Sequence, residues 1–186
     1  MAIECFLTKG LTRKTGNCGY SLKQINEIYL ANYSDVVTEL ENEGVGYTVS
    51  TITGTSKWFK FEPAKDTSSY NDDLVIGGNS SKYRTHTMTF SFNGAYSADI
   101  AEVLDTLSVG KFVAVLKLTD GSAIMLGRLT GLEASAASSL SEAAADGQNG
   151  ITVTLECNTI EPALVVAKEA LTAIENAAKE DEGEGA

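Results

Sequence analysis

Between Lys82 and Phe92 the chain alternates with a period of two. Met88, Phe90 and Phe92 fall on one side; Thr85, Thr87, Thr89 and Ser91 fall on the other. Successive side chains of a strand point to opposite faces, and β-branched and aromatic residues favour it, so this segment reads as a half-buried strand. A strand with one apolar and one hydroxyl face needs a second layer against its apolar side. The rest of the chain supplies candidates. Residues 25–33 are a mixed apolar run of Ile, Tyr and Leu, and 47–53 are rich in β-branched residues before Gly54. In residues 57–62, Phe59 and Phe61 share a side. Residues 151–157 send Ile151, Val153, Leu155 and Cys157 inward and Thr152, Thr154 and Glu156 outward. Phe112 to Leu118 and Ala123 to Leu129 flank a tight turn carrying Asp120-Gly121, the strongest short-range hairpin signal in the chain.

After Asn93-Gly94 the period changes. Ser97 is suited to an N-cap, Asp99 lies in the first turn, Ile100, Val103, Leu104 and Leu107 repeat at helical spacing, and Gly110 ends the pattern. This predicts a short amphipathic helix lying across a sheet or barrel mouth. Residues 63–81 and 134–150, rich in Ser, Gly, Ala and acids, read as long loops of the kind that are functional or disordered. Beyond Pro162, Leu164, Ala167, Leu171, Ile174 and Ala178 repeat as a helix with a narrow apolar face, suited to a neighbouring surface rather than to filling a core. An acidic tail follows from Glu180. The expected fold is mainly β: a β-sandwich or barrel with one flanking α-helix, a long loop and a C-terminal helix. Its β domain covers 1–161, with 162–186 as helix and tail.

At 186 residues and 43% hydrophobic content, one domain with a sizeable core is expected. Fourteen basic residues face 25 acidic ones, a formal charge of -11. That balance lacks the basic footprint of a sequence-reading nucleic-acid binder and argues against docking on an anionic membrane. No stretch approaches a membrane span, and the first residues lack the pattern of a signal peptide. The residues for catalysis are scarce. His86 is the single histidine, in a strand and with no G-x-S-x-G elbow anywhere, so it reads as an ordinary strand residue. Cys5, Cys18 and Cys157 form no C-x-x-C pair, and one His with scattered Cys does not make a zinc site. Asp66, Asp72 and Asp73 lack EF-hand spacing and read as solvated loop acids. Gly77-Gly78-Asn79 lacks the Lys-Ser/Thr of a phosphate loop and reads as a turn. No cofactor, no metal and no enzymatic activity are expected. Trp58 and Tyr70 read as aromatic anchors of an interface, with Asp66, Asp72, Asp73 and Tyr83 as further inter-subunit contact candidates.

The order of parts resembles the tail tube proteins of bacteriophages and related tail structural proteins. The resemblance rests on Ile25-Asn26-Glu27-Ile28-Tyr29-Leu30-Ala31-Asn32-Tyr33, then Phe59-Lys60-Phe61-Glu62-Pro63 leading through a polar loop into Thr87-Met88-Thr89-Phe90-Ser91-Phe92. It continues with the helix before Phe112-Val113-Ala114-Val115, then Asp120-Gly121, Leu126-Gly127 and Gly131-Leu132-Glu133-Ala134-Ser135. It implies a non-enzymatic virion protein, made in the host cytoplasm, whose copies form stacked hexameric rings through edge-to-edge sheets. The loop 63–81 and the terminal arms would join ring to ring. Partners would be further copies, other tail proteins, and DNA passing through the lumen without specific binding. The Thr-rich outward faces of residues 82–92 and 151–157 would be lumen or subunit-contact candidates. The rival reading is a monomeric ligand- or carbohydrate-binding β-module using Trp58, Tyr70 and the acids.

Overall fold

The computed structural model describes residues 23–40, 47–53, 57–93, 97–141 and 149–182. In chain order the elements are β1 (Ile25–Asn32), a single 3-10 turn (Tyr33–Asp35), β2 (Val37–Leu40), β3 (Thr48–Thr53), β4 (Phe59–Phe61), β5 (Ser69–Ile76) and β6 (Lys82–Asn93). Then follow α1 (Ala98–Val109), β7 (Lys111–Leu118), β8 (Ala123–Leu126), β9 (Leu132–Ser141), β10 (Asn149–Thr159), β11 (Leu164–Val166) and α2 (Lys168–Glu182). The fold is mainly β, with two helices.

The strands divide into two limbs that meet at one corner. One limb runs β4-β1-β7-β8-β11-β3-β2 and the other β9-β10-β6-β5. They are joined only where Lys111 and Phe112 of β7 pair with Glu133 and Leu132 of β9, past the end of β8. The chain turns this corner between Gly127 and Gly131, whose φ angles of +75° and +71° lie in the left-handed region that glycine enters without a Cβ penalty. The Gly131 N–H closes the turn on the Gly127 carbonyl at 2.8 Å.

The limbs face each other across a core. Ile28, Leu30, Phe112, Ala114, Leu116 and Leu126 come from the first limb; Met88, Phe90, Leu132, Ile151, Val153 and Leu155 come from the second. Phe61, Phe90 and Phe92 stack at one end with ring centroids 5.4–6.3 Å apart. The alternation read from the sequence of β6 and β10 is therefore the alternation between core and outer face. β1 and β7 do not alternate, and the reason is a second core on the far side of their limb. There Tyr29, Ala31, Val113, Val115, Met125 and Trp58 pack with Leu171, Ile174 and Ala178 of α2. Strands covered on both faces read as continuous apolar runs.

Three expectations are corrected. Residues 69–76 are not part of a loop but strand β5, paired with β6 along its whole length, so the irregular stretch shrinks on one side to the turn at 77–81. Residues 132–141 form β9, paired with β10; the remainder of the expected loop, 142–148, lies outside the described residues. The segment after Pro162 is not a helix on a neighbouring surface. It begins with β11, which inserts between β3 and β8, and its helix α2 covers the chain's own second core. Lys117 fastens α2 in place, pairing with Glu27 at 2.9 Å and Glu175 at 2.8 Å. Burial pushes the Glu27 carboxyl up, but hydrogen bonds from Lys117 and Tyr29 and the charges of Lys117 and Lys60 outweigh it and hold it below its ordinary value. The helix expected at 97–110 is present as α1, capped by Ser97, whose hydroxyl accepts the Ile100 N–H.

Candidate interaction surface

The outer face of the second limb follows from register. Directly opposed residues of an antiparallel pair share a face. Thr85 lies opposite Asn158 and Asp73, Thr87 opposite Glu156 and Asn71, Thr89 opposite Thr154 and Ser69, and Ser91 opposite Thr152. The hydroxyls pair with one another across the strands: Thr89 with Thr154 at 3.1 Å, Ser91 with Thr152 at 2.8 Å, and Thr85 donating to the Asn158 side chain at 2.8 Å. Donors already engaged laterally leave less to grip a passing ligand. The carboxylates on this face are Asp73, Glu156 and Glu133, the last paired with Lys111 of β7 at the corner at 2.7 Å; among the described residues the four strands themselves contribute no Lys or Arg, since Lys82 and Arg84 have the opposite parity.

At the margin of this face lies β5. No strand among the described residues pairs with its outer edge, which leaves a row of backbone donors and acceptors unanswered by the sheet. Leu74 and Ile76, on the inner side of the strand, extend past the core and are 60% and 64% exposed. The hairpin to β6 turns at Gly77–Ser81, closed by Gly77 N–H on the Ser81 carbonyl at 2.8 Å, with Ser80 at φ 64°. Gly77-Gly78-Asn79 is thus a turn, as its sequence suggests.

The six contact candidates do not form one patch. Tyr70, Asp72, Asp73 and Tyr83 all lie on the β5–β6 hairpin. Tyr70 faces the first core opposite Met88, Asp73 points outward opposite Thr85, and Tyr83 is outward opposite Val75. Asp66 sits in the turn before β5 with φ 61°, hydrogen-bonded by the Gln24 side chain. Trp58 is corrected: at 2% exposure it is a member of the second core, and its side chain has no surface to anchor a partner.

Behind the hairpin is a polar cluster that the sequence did not disclose. Asp72 accepts from Arg84 at 2.9 Å through one carboxylate oxygen and from the Ala163 N–H at 3.0 Å through the other. Glu161, 3% exposed, accepts from Arg128 through both oxygens, at 2.9 and 2.5 Å. Between these two pairs His86 is buried; its Nδ1 faces the Gly127 N–H at 3.5 Å and its Nε2 has no hydrogen-bond partner. Burial holds the imidazole below its ordinary value, against the opposing charge of Asp72. The missed signal was parity: Asp72, Arg84 and His86 all fall on the inward side of their strands.

Two hollows complete the surface. A groove of about 300 Å³ lies between α1 and the open end of the sandwich, lined by Phe61, Phe92, Ile100, Leu104, Leu107 and Ile151 among others. A second hollow, about 390 Å³, lies at the corner and reaches Cys157, whose thiol burial pushes up, away from reactivity. Among the described residues no group of three or more His, Cys, Asp or Glu is placed to hold a metal ion, and no helix is long and apolar enough to cross a membrane. Compared with protein-family models and with curated proteins, the chain matches none.

Proposed function

We propose that the chain is a self-assembling structural subunit of a virion tail tube, and that β5 is an edge at which copies join. The observation that carries this reading is the combination of an eight-residue strand whose outer edge has no partner among the described residues with exposed Leu74 and Ile76 beside an outer face of hydroxyls and carboxylates. An open edge of this length is a template for another chain's strand, and closure into a ring satisfies it. A face whose four strands carry no cations, and whose corner cation Lys111 is held by Glu133, suits a wall along which DNA passes, because free basic groups there would hold phosphates. Rings of such subunits, stacked as hexamers with other tail proteins at the ends, make a conduit and need no catalytic group. The rival reading, a monomeric carbohydrate-binding module, relies on an exposed aromatic platform, and the residue it relied on most, Trp58, is buried.

The test is assembly of concentrated protein, followed by sedimentation velocity and negative-stain electron microscopy. Rings or tubes are expected from the unaltered chain. Leu74→Lys and Ile76→Lys together should abolish them while leaving the circular dichroism spectrum unchanged, since lysine on an edge blocks strand addition and both sites are exposed. A chain that stays monomeric at every concentration, with or without tail extracts to nucleate it, refutes the reading. So does assembly indifferent to the double substitution.

A further inference from the structure

His86 occupies a particular place in the fold. It lies on β6 opposite Asp72 of β5 on one side and opposite Cys157 of β10 on the other. Its Nε2 stands 3.7 Å from Asp72 Oδ1, outside hydrogen-bond range, and the whole residue is 2% exposed. Asp72 is the side chain that ties the edge strand to the rest of the molecule: it binds Arg84 on its neighbour strand and the Ala163 N–H, just before β11. Apart from the carboxylate, the charged groups around the imidazole are Arg84 on its own strand and Glu161 after β10. Glu161 is already engaged by Arg128 after β8. Cys157 contributes a thiol that stays neutral in the acid range.

With a neutral imidazole this set balances: two carboxylates, Asp72 and Glu161, against two guanidiniums, Arg84 and Arg128. A proton on His86 adds a net positive charge on a ring that is itself closed to water, although Asp72 and Arg84 beside it reach solvent in part. The added proton goes to Nδ1, the nitrogen that accepts the Gly127 N–H, and so removes that hydrogen bond, while the charge draws Nε2–H toward the Asp72 oxygen that Arg84 holds. A buried unpaired charge is costly, and the least costly relief is to admit water by releasing the weakest element that closes the site. That element is β5, which among the described residues is paired on one side only. From this geometry we infer that His86, Asp72 and Arg84 form an acid-sensitive latch, which holds the β5 edge against β6 at neutral pH and loosens it when His86 is protonated. The latch is a property of the single chain. Its consequence, that mild acid alters the edge through which copies join, rests on the assembly reading above.

A single histidine makes the test direct, because its ring C–H resonances in a proton NMR spectrum need no assignment. Hydrogen exchange of residues 69–76 is followed on dilute Leu74→Lys/Ile76→Lys protein, which keeps the chain monomeric, from pH 7.5 downward. Rates are corrected for the intrinsic pH dependence of exchange. The opening constant of β5 should rise as pH falls, by up to about tenfold per pH unit for one linked proton. The rise should begin near the ordinary imidazole value of 6.5, which the opened site regains, and level off where the ring signal of the folded protein titrates, while β7 and β10 amides stay protected. His86→Gln, which keeps an acceptor for the Gly127 N–H and cannot take a proton, should flatten the profile. β5 protection indifferent to ring titration overturns the latch, as does loss of protection in all strands together. If His86→Gln does not fold, whether the rise of β5 opening levels off where the ring signal titrates decides alone. Failure of the parent chain to form rings would refute assembly and leave this result standing.

Discussion

Replacing Ile174 by alanine tests whether α2 is an appendage or a layer of the fold. Ile174 is 1% exposed and packs in the second core with Leu171, Ala178 and Trp58. Truncation removes its buried methyl and methylene groups and leaves a cavity that a helix packed against a sheet fills only in part. Such substitutions cost about 2–5 kcal/mol, and about 3 kcal/mol is expected for a site closed on one side by a helix rather than by two sheets. For a chain of this size each kcal/mol lowers Tm by about 2–4 °C, so a fall of about 6–12 °C follows. The assay is thermal and urea unfolding read by two probes: far-ultraviolet circular dichroism for the strands, and fluorescence of the single tryptophan for the second core. In a three-layer molecule the two probes shift together. Asn176→Ala, on the exposed side of the same helix, should stay within about 0.5 kcal/mol of the parent. If Ile174→Ala moved the tryptophan signal alone and left the strand transition in place, α2 would be a separable appendage and the layered account would be wrong.

Other expectations follow from the same contacts. Arg128→Ala should destabilise by about 3–5 kcal/mol, because it strands the buried Glu161 carboxylate; adding Glu161→Leu should recover much of the loss, as denaturant melts of both variants will show. Stability should fall as pH drops below the ordinary imidazole value of 6.5. The folded His86 is held lower than that, so the unfolded chain binds the extra proton first, and the loss ends once pH passes the folded value; urea midpoints of His86→Gln should lack this limb. Gly131→Ala should destabilise by about 1–3 kcal/mol in chemical unfolding, since the residue sits at φ +71° and an added Cβ would come within 2.3 Å of the Lys111 side chain.

How much of this was legible depended on which physical signal each segment carried. β6 and β10 alternate cleanly because one face meets the core and the other meets solvent. The Ser97 cap and Asp120-Gly121 turn announced α1 and the β7–β8 hairpin. β5 was missed because Asp72 and Asp73 disfavour a strand in isolation; Asp72 is tolerated on the inner side only through its bonds to Arg84 and Ala163. β9, built largely from Ala and Ser, has little intrinsic strand preference and is held by its pairing with β10. β11 was absorbed into a helical repeat beginning at Leu164. Its alternation is visible only in the structure, where Leu164 and Val166 are buried and Val165 is exposed. Trp58 reads as a surface anchor by residue type alone, and nothing local reveals the helix that covers it. The His86 cluster joins groups from five separate places in the chain, which no spacing rule connects.

The placement of β11 also dictates when the molecule can be finished. It lies between β8 and β3, antiparallel to one and parallel to the other, so on the side away from β2 residues 48–49 find their neighbour in residues 165–166. During synthesis everything from β2 through residue 166 must leave the ribosome before that limb is continuous. Until then β3 and β8 each wait with a bare side, and contacts between such distant segments form slowly. The limb therefore closes late, with β11 sliding into a gap rather than adding to a rim. A nascent chain halted before residue 164 should be the form that chaperones retain.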